Sequence, residues 1–381
     1  GVERCLFGNG KELHFKKLMD FDTIGGKSNK NGARFDLDAM YVNWLGLSLK
    51  CYLPKSENSL SYVWESLKGK ISYCNIKRLM FSSGWRYYAE IVVSGAAPTR
   101  VSIGTSTMGI DPGVSTIAGV SEDACVLEEL APNAIQYEKK IQKISQSMDR
   151  SRRISNPNKY NEDGTINRSN RDPWKYSKNY VKMCRLLKSL YRKKHAYIVD
   201  SHRKLCNKLI TIARYFPVEK MHFQALQKRA KETKRQEKKT EVKQKDGTVK
   251  VIQKYKRKKR FGRSINRRAP ARFLLELKRK AEAVGGVYAE VDTKEFKASQ
   301  YNHVTDTYEK IPLSQREKEI GNRKVQRDLY SAFLIRNADL DFKHPDREKC
   351  EYEFEYFADM QDQLILKMKE SGLSMRQCFG F

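Results

Sequence analysis

One segment of the chain, Lys228–Arg268, is too strongly charged to form part of a hydrophobic core. Its 41 residues contain 19 Lys or Arg and 4 Asp or Glu, a net charge of +15 (19 − 4). The whole chain of 381 residues has a net charge of +30, so this segment carries half of it. Like charges at this density keep a segment solvated. The folded parts of the chain must therefore lie before and after this basic arm. We expect the arm to be disordered when free and to become ordered on a polyanion.

The composition is that of a folded protein that binds a polyanion. Hydrophobic residues make up 39% of the chain and aromatic residues 10%, which is too rich for a disordered protein. At about 150 residues per domain, the length suggests two or three domains. Tyrosines alternate with basic residues over long stretches, which favours nucleic acid over a basic membrane surface as the partner. No window approaches the roughly 18 apolar residues of a membrane-spanning helix, so we expect no membrane partner.

The eight cysteines are scattered singly, without a CxxC pair. This spacing argues against a structural zinc ribbon and against a secreted disulfide framework. The chain also opens without a signal-peptide pattern, so we expect an intracellular protein.

Hydrophobic periodicity predicts an α/β protein. Residues 1–105 contain short apolar runs broken by Gly, Ser and Asn, which predict a small β-barrel or sandwich. Residues 107–120 are typical of a strand, a glycine-containing turn and a second strand. The other predicted elements are helices over 133–153 and 173–214, a helix over 271–284, a strand over 286–291, a helix over 325–336 and an acidic, aromatic tail from about 338.

Three carboxylates stand beside apolar segments that are far apart in the sequence. Asp111 follows a strand, Glu219 ends a short apolar segment, and Asp328 opens the last predicted helix. Metal-dependent phosphodiester cleavage needs carboxylates from separate segments that converge on two metal ions about 4 Å apart. Each residue also has a simpler interpretation. Asp111 can be a turn former, Glu219 a solvent-facing charge at the end of a strand, and Asp328 a residue that compensates the helix dipole. Pro217 argues against a central strand before Glu219, because proline cannot donate to a ladder, although it is compatible with the first paired position of a strand.

Taken together and in this order, the three segments resemble the split RuvC nuclease of the transposon-encoded TnpB family, relatives of the type V CRISPR effectors. The resemblance covers roughly residues 75–340, and its combination of motifs is far more specific than any one of them. The matching segments are Gly109–Val114, Val218–Met221, Arg327–Ala332 and, between the second and third, Gly262–Ile265 and Leu274–Gly286.

The resemblance implies a fold in three parts. Residues 106–340 would form an RNase H-like (RuvC) α/β domain with inserted basic helices at about 133–214 and the basic arm at 228–268. A β-rich barrel of the wedge or OB-like kind at 1–105, which binds nucleic acid, would precede it. An acidic, aromatic tail at 341–381 would follow.

The resemblance also implies an activity. Asp111, Glu219 and Asp328 would be the catalytic residues and would hold Mg²⁺ or Mn²⁺. The protein would be an RNA-guided endonuclease that hydrolyses DNA and is associated with a transposable element. Its partners would be a guide RNA and target DNA, both double- and single-stranded, in a bacterial-type cytosol near the nucleoid. The oligomeric state is left open.

The chain departs from the family where most relatives carry a zinc ribbon. Asn302 stands at the position of the first metal-binding cysteine, and no cysteine lies between it and Asp328. We therefore expect no zinc, and we interpret His303 as a loop or stacking residue. Tyr330 replaces the usual Asn of the third motif and is expected to change the local hydrogen bonds. The helical region that begins relatives has no counterpart before Gly1, which indicates a fragment or a member that has lost this region.

Basic residues interleaved with aromatic ones predict two nucleic-acid surfaces. Cations would bind phosphates, and aromatic rings would stack on unpaired bases. The predicted contact residues on the basic helices are Arg192, Lys193 and Lys194. Those in the arm are Tyr255, Lys256, Arg257, Lys258, Lys259, Arg260, Phe261, Arg263, Arg267 and Arg268.

Two other functions are compatible with this pattern. One is a nuclease-inactive, RNA-guided DNA-binding protein of the same ancestry, acting as a repressor; the intact Asp111, Glu219 and Asp328 weigh against it. The other is an RNA-independent RuvC-like enzyme acting on branched DNA, which would not need so large a basic arm.

Overall fold

The computed structural model describes residues 21–227, 235–243, 249–255, 261–312 and 314–372. The chain divides into two compact units. Unit 1 consists of Gly1–Arg100 and Tyr137–His195, and unit 2 consists of Val101–Gln136 and Ala196–Phe381. The domain boundaries expected from the sequence, at 105/106 and 340/341, stay predictions.

Unit 1 contains six described strands in two open, antiparallel sheets. In chain order the strands are β1 (Thr23–Gly25), β2 (Arg34–Asp36), β3 (Tyr41–Trp44), β4 (Leu47–Lys50), β5 (Ile71–Phe81) and β6 (Gly84–Val93). One sheet has the order β1–β5–β6 and the other β2–β3–β4. The expected strand-rich character is confirmed. The expected closed barrel is absent from residues 21–100, because β4 and β6 each pair on one side only.

The strands of unit 1 are accompanied by a small hydrophobic core and by helices. Phe35, Val42 and Cys74 are buried together with Leu67, the last residue of α1 (Glu57–Leu67). The long helices α2 (Ala134–Ser155) and α3 (Lys178–Ile212) confirm the two helical segments predicted around residues 133–214.

A mixed six-stranded sheet organises unit 2. Its strands are β7 (Ser106–Thr107), β8 (Gly109–Pro112), β9 (Thr116–Val120), β10 (Cys125–Glu129), β11 (Ala213–Glu219) and β14 (Val287–Val291). The order is β10–β9–β8–β11–β14, and β7 also pairs with β11. The pairs β10–β9 and β9–β8 are antiparallel, whereas β8–β11 and β11–β14 are parallel. The mixed α/β character expected from the sequence is therefore confirmed.

Pro217 lies inside a central strand, contrary to the sequence expectation. It is the fifth of the seven residues of β11, and β11 has neighbours on both sides. On the β7–β8 side, Tyr215 pairs with Thr107 and Val218 pairs with Ile110, without a pair between them. The strand accommodates a residue that lacks an N–H because the ladder is interrupted where Pro217 lies.

Short hairpins and helices make up the rest of unit 2. Part of the basic arm is an antiparallel hairpin of β12 (Arg235–Lys243) and β13 (Val249–Tyr255). Two further hairpins are β15 (Tyr301–Asn302) with β16 (Thr307–Tyr308), and β17 (Glu317–Ile320) with β18 (Arg323–Gln326). The helices are α4 (Phe223–Gln227), α5 (Gly262–Arg268), α6 (Pro270–Ala283), α7 (Thr293–Phe296), α8 (Arg327–Arg336) and α9 (Arg347–Glu370).

Alternation along the strands divides the core of unit 2 between the two faces of the sheet. Ile117 of β9 and Val126 of β10 belong to one hydrophobic cluster, and their neighbours Ala118 and Leu127 belong to another. Successive side chains of a strand point to opposite faces. Both faces are therefore apolar and must be covered.

Helices cover both faces. The C-terminal part of α3 contributes Leu209 to the first cluster, and α6 contributes Phe273. Helices α8 and α9 supply Phe333 and Phe357 to the second cluster, where the two rings stack with centroids 4.6 Å apart. Arg323 of β18 also pairs with three carboxylates of α9, those of Glu355, Asp359 and Asp362.

Helix α8 lies directly on strand β8 at Gly109. A Cβ atom at this position would overlap the carbonyl oxygen of Ala332 and the backbone nitrogen of Arg336. Only glycine lets the helix and the strand approach this closely. Because α8 begins with Arg327 and Asp328, this contact sets the position of a predicted catalytic carboxylate relative to β8.

We expect Gly109→Ala to lower the stability of unit 2 by about 1–3 kcal/mol, because an added methyl group forces the helix off the strand. Thermal unfolding followed by circular dichroism measures the change. Gly262→Ala is the matched control, since the nearest atom to its added Cβ, the carbonyl oxygen of Gln227, would lie 4.0 Å away. Equal melting temperatures for the two variants would contradict the close-approach argument.

Candidate metal site

The parallel pairing of β8 with β11 brings two of the predicted carboxylates together. Val218 pairs with Ile110, so Glu219 and Asp111 are the next residues of neighbouring parallel strands. Their side chains share a hydrogen bond. This juxtaposition depends on strand register, because a shift by one residue would turn one side chain to the opposite face.

The third carboxylate comes from the first turn of α8. Gln326 caps this helix, and its side chain accepts a hydrogen bond from the Leu329 N–H at 2.7 Å. The cap fixes where the helix begins and hence where Asp328, its second residue, lies. Asp328 is close enough to raise the pKa values of both Asp111 and Glu219.

The carboxyl groups of Asp111 and Glu219 are held in an environment that disfavours negative charge. Burial, the charges of Glu219 and Asp328, and the hydrogen bond with Glu219 raise the pKa of Asp111 well above its usual range, although Arg327 opposes this. Burial also raises the pKa of Glu219; the hydrogen bond from Asp111 opposes the change and the charge of Asp328 adds to it. Burial and mutual repulsion thus disfavour full ionisation of the pair, and a bound cation would remove that repulsion.

Asp328 faces two arginines. Its carboxylate accepts hydrogen bonds from Arg327 Nε at 3.3 Å and Nη2 at 3.2 Å, and Arg316 Nη1 lies 3.6 Å from Oδ2. The Asp328 side chain is 16% exposed and that of Arg316 is 45% exposed. Sequence reasoning missed Arg316, because it lies outside the three motifs and only the fold brings it to Asp328.

The donor chemistry of these residues fits Mg²⁺ or Mn²⁺, which prefer carboxylate oxygens. Asp111 and Glu219 fit best, since they are adjacent and buried, and a cation between them would offset their mutual repulsion. Over the described ranges, however, no group of three or more His, Cys, Asp or Glu is arranged to hold one metal ion. Asp328 would have to leave its arginine partners to join the other two. The assignment of metal ligands therefore stays a prediction.

The segment in place of the zinc ribbon is built around aromatic side chains. The Nδ1 atom of His303 lies 2.8 Å from the Tyr330 hydroxyl, and its backbone N–H donates to the same oxygen at 3.2 Å. The ring also packs against Phe333 and Phe354, and burial lowers the pKa of His303 to about 4. His303 thus packs in tilted and edge-on contacts within an aromatic cluster, and Tyr330 makes hydrogen bonds with it.

The structure places several predicted nucleic-acid contacts in internal interactions. Arg268 pairs with Glu129, and its side chain is 12% exposed. Lys194 pairs with Glu138 at 2.9 Å. Arg192 lies over the ring of Phe81, 3.7 Å from its centroid, and donates to the Met80 carbonyl oxygen. Sequence charge could not reveal these pairings, because each partner is distant along the chain or on another element.

Other predicted contact residues are accessible or lie elsewhere. Lys193 and Arg263 are exposed, while Phe261 and Arg267 are half-buried around α5. Tyr255 is the last residue of β13. The run Lys256, Arg257, Lys258, Lys259 and Arg260 lies outside the described residues.

Comparisons with known proteins find similarity at the level of solved structures. No protein-family model matches the chain, and no curated protein matches it. A cryo-EM structure of a Cas12f1–sgRNA–target DNA complex matches with a TM-score of 0.43 and 12% identity, over 74% of this chain and 48% of that one. A cryo-EM structure of a CRISPR–Cas12f ternary complex matches with a TM-score of 0.33 and 14% identity, over 83% of this chain and 51% of that one. The chain thus spans about half the length of both. Within the described part of the chain, every helix is too short or too polar to cross a membrane.

We expect Asp111→Asn to stabilise the metal-free protein. A carboxyl whose pKa is raised on folding contributes stability below its unfolded pKa, near 4, and loses it as the pH rises through the folded value. Each unit of such a shift corresponds to about 1.4 kcal/mol. In EDTA at pH 8, the melting temperature of the variant should exceed that of the wild type by several degrees, and the difference should shrink towards pH 4.

The matched control for this comparison is Asp123→Asn, which removes an exposed carboxyl from the turn between β9 and β10. A stabilisation of the same size in this control, or none in Asp111→Asn, would show that Asp111 is not electrostatically strained.

Proposed function

We propose that the chain is an RNA-guided DNA endonuclease of the TnpB kind, with an RNase H-like RuvC site that hydrolyses phosphodiester bonds and an association with a transposable element. One observation carries the proposal: carboxylates from three distant segments converge, since Glu219 and Asp328 both raise the pKa of Asp111, and Asp328 also raises the pKa of Glu219. Clustered carboxyl groups with raised pKa values are typical of metal-binding and catalytic sites.

The topology of unit 2 supports the RNase H-like assignment. Its sheet has three antiparallel strands followed by two parallel ones, and helices cover both faces. Asp111 and Glu219 lie on neighbouring central strands, and Asp328 lies on the helix packed over them. This arrangement agrees with the order of the three motifs on which the sequence resemblance rests.

The chain's own residues would prepare a phosphodiester for attack. Asp111, Glu219 and Asp328 would hold Mg²⁺ or Mn²⁺, which when bound supply an activated nucleophile and stabilise the attacking and leaving oxygens. Arg316 and Arg327 line the Asp328 side of the site. Once Asp328 turns towards the other two carboxylates, the half-exposed Arg316 guanidinium is free to pair with a phosphate of the DNA strand.

Guide RNA and target DNA are the partners that the charge supports. The net charge of +30 is far larger than protein solubility requires, and the exposed Lys193 and Arg263 are accessible to phosphates. Sequence recognition in such a system comes from base pairing with the guide, so backbone contacts are sufficient for the protein.

One observation favours the nuclease-inactive alternative. Asp328 is paired with arginines, and the three carboxylates lack a ready-made metal geometry among the described residues. In a protein that binds guided targets without cutting them, Asp328 would stay paired with the arginines and would not join the other two carboxylates. The two functions differ in a single measurable property, cleavage of a bound target.

The decisive experiment is to purify the protein from its host, sequence the RNA that co-purifies, and assay cleavage of matching DNA. We expect cutting with Mg²⁺, no cutting in EDTA, and a loss of about a hundredfold or more in Asp111→Asn. Asp123→Asn should cut like the wild type. Target binding without cutting under all conditions would establish the repressor-like alternative, and the absence of bound RNA would overturn both.

We expect Arg316→Ala to slow cleavage by about tenfold or more while target binding stays within a few fold, because Arg316 acts at the scissile phosphate rather than along the duplex. Single-turnover cleavage and filter binding separate the two effects. Arg323→Ala is the control, since Arg323 pairs with α9 rather than with Asp328. Equal cleavage rates for Arg316→Ala and Arg323→Ala would show that Arg316 has no role at the scissile phosphate.

A further inference from the structure

Two glutamine side chains are completely buried where strand β18 meets helix α8. Gln326 is the last residue of the strand, and Gln361 belongs to α9, 35 residues further along the chain. Both residues are 0% exposed. A buried amide costs free energy unless its polar atoms find hydrogen-bond partners. The partners of these two amides therefore indicate what the residues do.

Gln361 binds the outer edge of β18 in the way that a residue of a neighbouring strand would. Its Oε1 accepts a hydrogen bond from the Gln326 N–H at 2.7 Å, and its Nε2 donates to the Lys324 carbonyl oxygen at 3.2 Å. Just beyond the strand, the Arg327 N–H donates to the Arg316 carbonyl oxygen at 2.9 Å. The end of β18 is thus fixed between the segment that includes β17 and one side chain of α9.

Gln326 passes this fixed position on to the third carboxylate. Its Oε1 accepts a hydrogen bond from the Leu329 N–H at 2.7 Å, and its Nε2 donates to Asp328 Oδ2 at 3.4 Å. The first bond fixes where α8 begins, and the second contacts the carboxylate itself. Asp328 must turn its side chain to join Asp111 and Glu219. The position of its backbone decides whether that turn brings the carboxylate close enough to share a cation.

The buried amide bonds differ from the surface contacts between the same two elements. Arg323, at the start of β18, pairs with exposed carboxylates of α9, and salt screens such pairs. Removing the Gln361 amide would instead leave the buried Gln326 N–H without its partner. The buried contact is therefore the one that holds the start of α8.

We propose that Gln361 is a positioning residue of the candidate metal site and that it acts on Asp328 through Gln326. The inference rests on the proposed function, because it takes Asp328 as a metal ligand. It extends the site to helix α9, which contains none of the three carboxylate motifs. Residues that orient a metal ligand typically change the metal affinity by about 10–100-fold when they are replaced.

The test measures Mn²⁺ binding by electron paramagnetic resonance. It uses the full chain, freed of nucleic acid by nuclease and high salt, and subtracts the Mn²⁺ bound by Asp111→Asn as background. Gln361→Met keeps the approximate size of the side chain and removes both hydrogen bonds to β18. We expect it to weaken Mn²⁺ binding about tenfold, because binding must then order Asp328. Gln361→Glu keeps an acceptor for the Gln326 N–H and should stay within about threefold of the wild type.

Two control variants separate positioning from stability. Gln363→Met makes the same change on the exposed side of α9 and should bind Mn²⁺ like the wild type. Ile365→Val removes a methyl group from the apolar cluster that α9 forms with α8. It should lower the melting temperature by about 2–4 °C, as a packing defect does, and leave Mn²⁺ affinity within about twofold. Circular dichroism establishes that each variant is folded.

A double-mutant cycle tests the path through Gln326. Gln326→Met removes the helix cap and the contact with Asp328, and it should itself weaken Mn²⁺ binding about tenfold. Adding Gln361→Met should then cost less than about threefold more, whereas independent effects would multiply to about a hundredfold. If Gln361→Met does not fold, Gln326→Met, which leaves α9 unchanged, decides the inference by the same measurement.

Several outcomes would overturn the inference. They are unchanged Mn²⁺ affinity in Gln361→Met, equal losses in Gln361→Met and Ile365→Val, and independent effects in the cycle. Tighter binding by Gln361→Met would also overturn it, since the amides would then hold Asp328 away from the metal. A wild type that binds no more Mn²⁺ than Asp111→Asn would overturn the metal site and the inference together. If Mn²⁺ binding depends on Gln361 as expected but matched DNA is never cut, the inference stands and the endonuclease proposal fails.

Discussion

Three carboxyl groups held close together are the constraint on which the arrangement of unit 2 depends. The charges of Glu219 and Asp328 oppose ionisation of Asp111, and burial strengthens that effect. Two rigid features hold the groups together: the parallel register that sets Val218 beside Ile110, and the contact of α8 with Gly109. The apolar clusters on both faces of the sheet stabilise those features. Stability elsewhere in the unit thus maintains an unfavourable site.

The arginines near Asp328 show how such a site is balanced in the absence of metal. Arg327 is mostly buried and is fixed by its bonds to Asp328 and to the Gln315 carbonyl oxygen. Arg316 is half-exposed and makes a longer contact. The first is suited to a permanent role in positioning Asp328, and the second to exchanging one anionic partner for another. This difference in exposure is why we assign a role towards DNA to Arg316 alone.

Local pattern predicted the elements of unit 2 well. The strand–turn–strand around Asp111 and the helix beginning at Arg327 follow from apolar periodicity and turn residues, and both are in the structure. Tertiary pairing was not predictable in the same way. The interruption that accommodates Pro217 depends on a distant strand, and the open sheets of unit 1 depend on which edges remain unpaired. From charge alone, Arg268 and Lys194 were predicted to contact nucleic acid. In the structure each pairs with a carboxylate that only folding brings close, Glu129 and Glu138, respectively.

The triple contact of Arg323 with Glu355, Asp359 and Asp362 links helix α9 to the hairpin β17–β18. These groups are largely exposed, so salt weakens their attraction, over a Debye length of about 8 Å at physiological ionic strength. Buried Gln361 reinforces the link, because its side-chain oxygen accepts from the Gln326 N–H just before α8. Proteolysis or truncation within α9 would therefore disturb the hairpin β17–β18 and the start of α8 together.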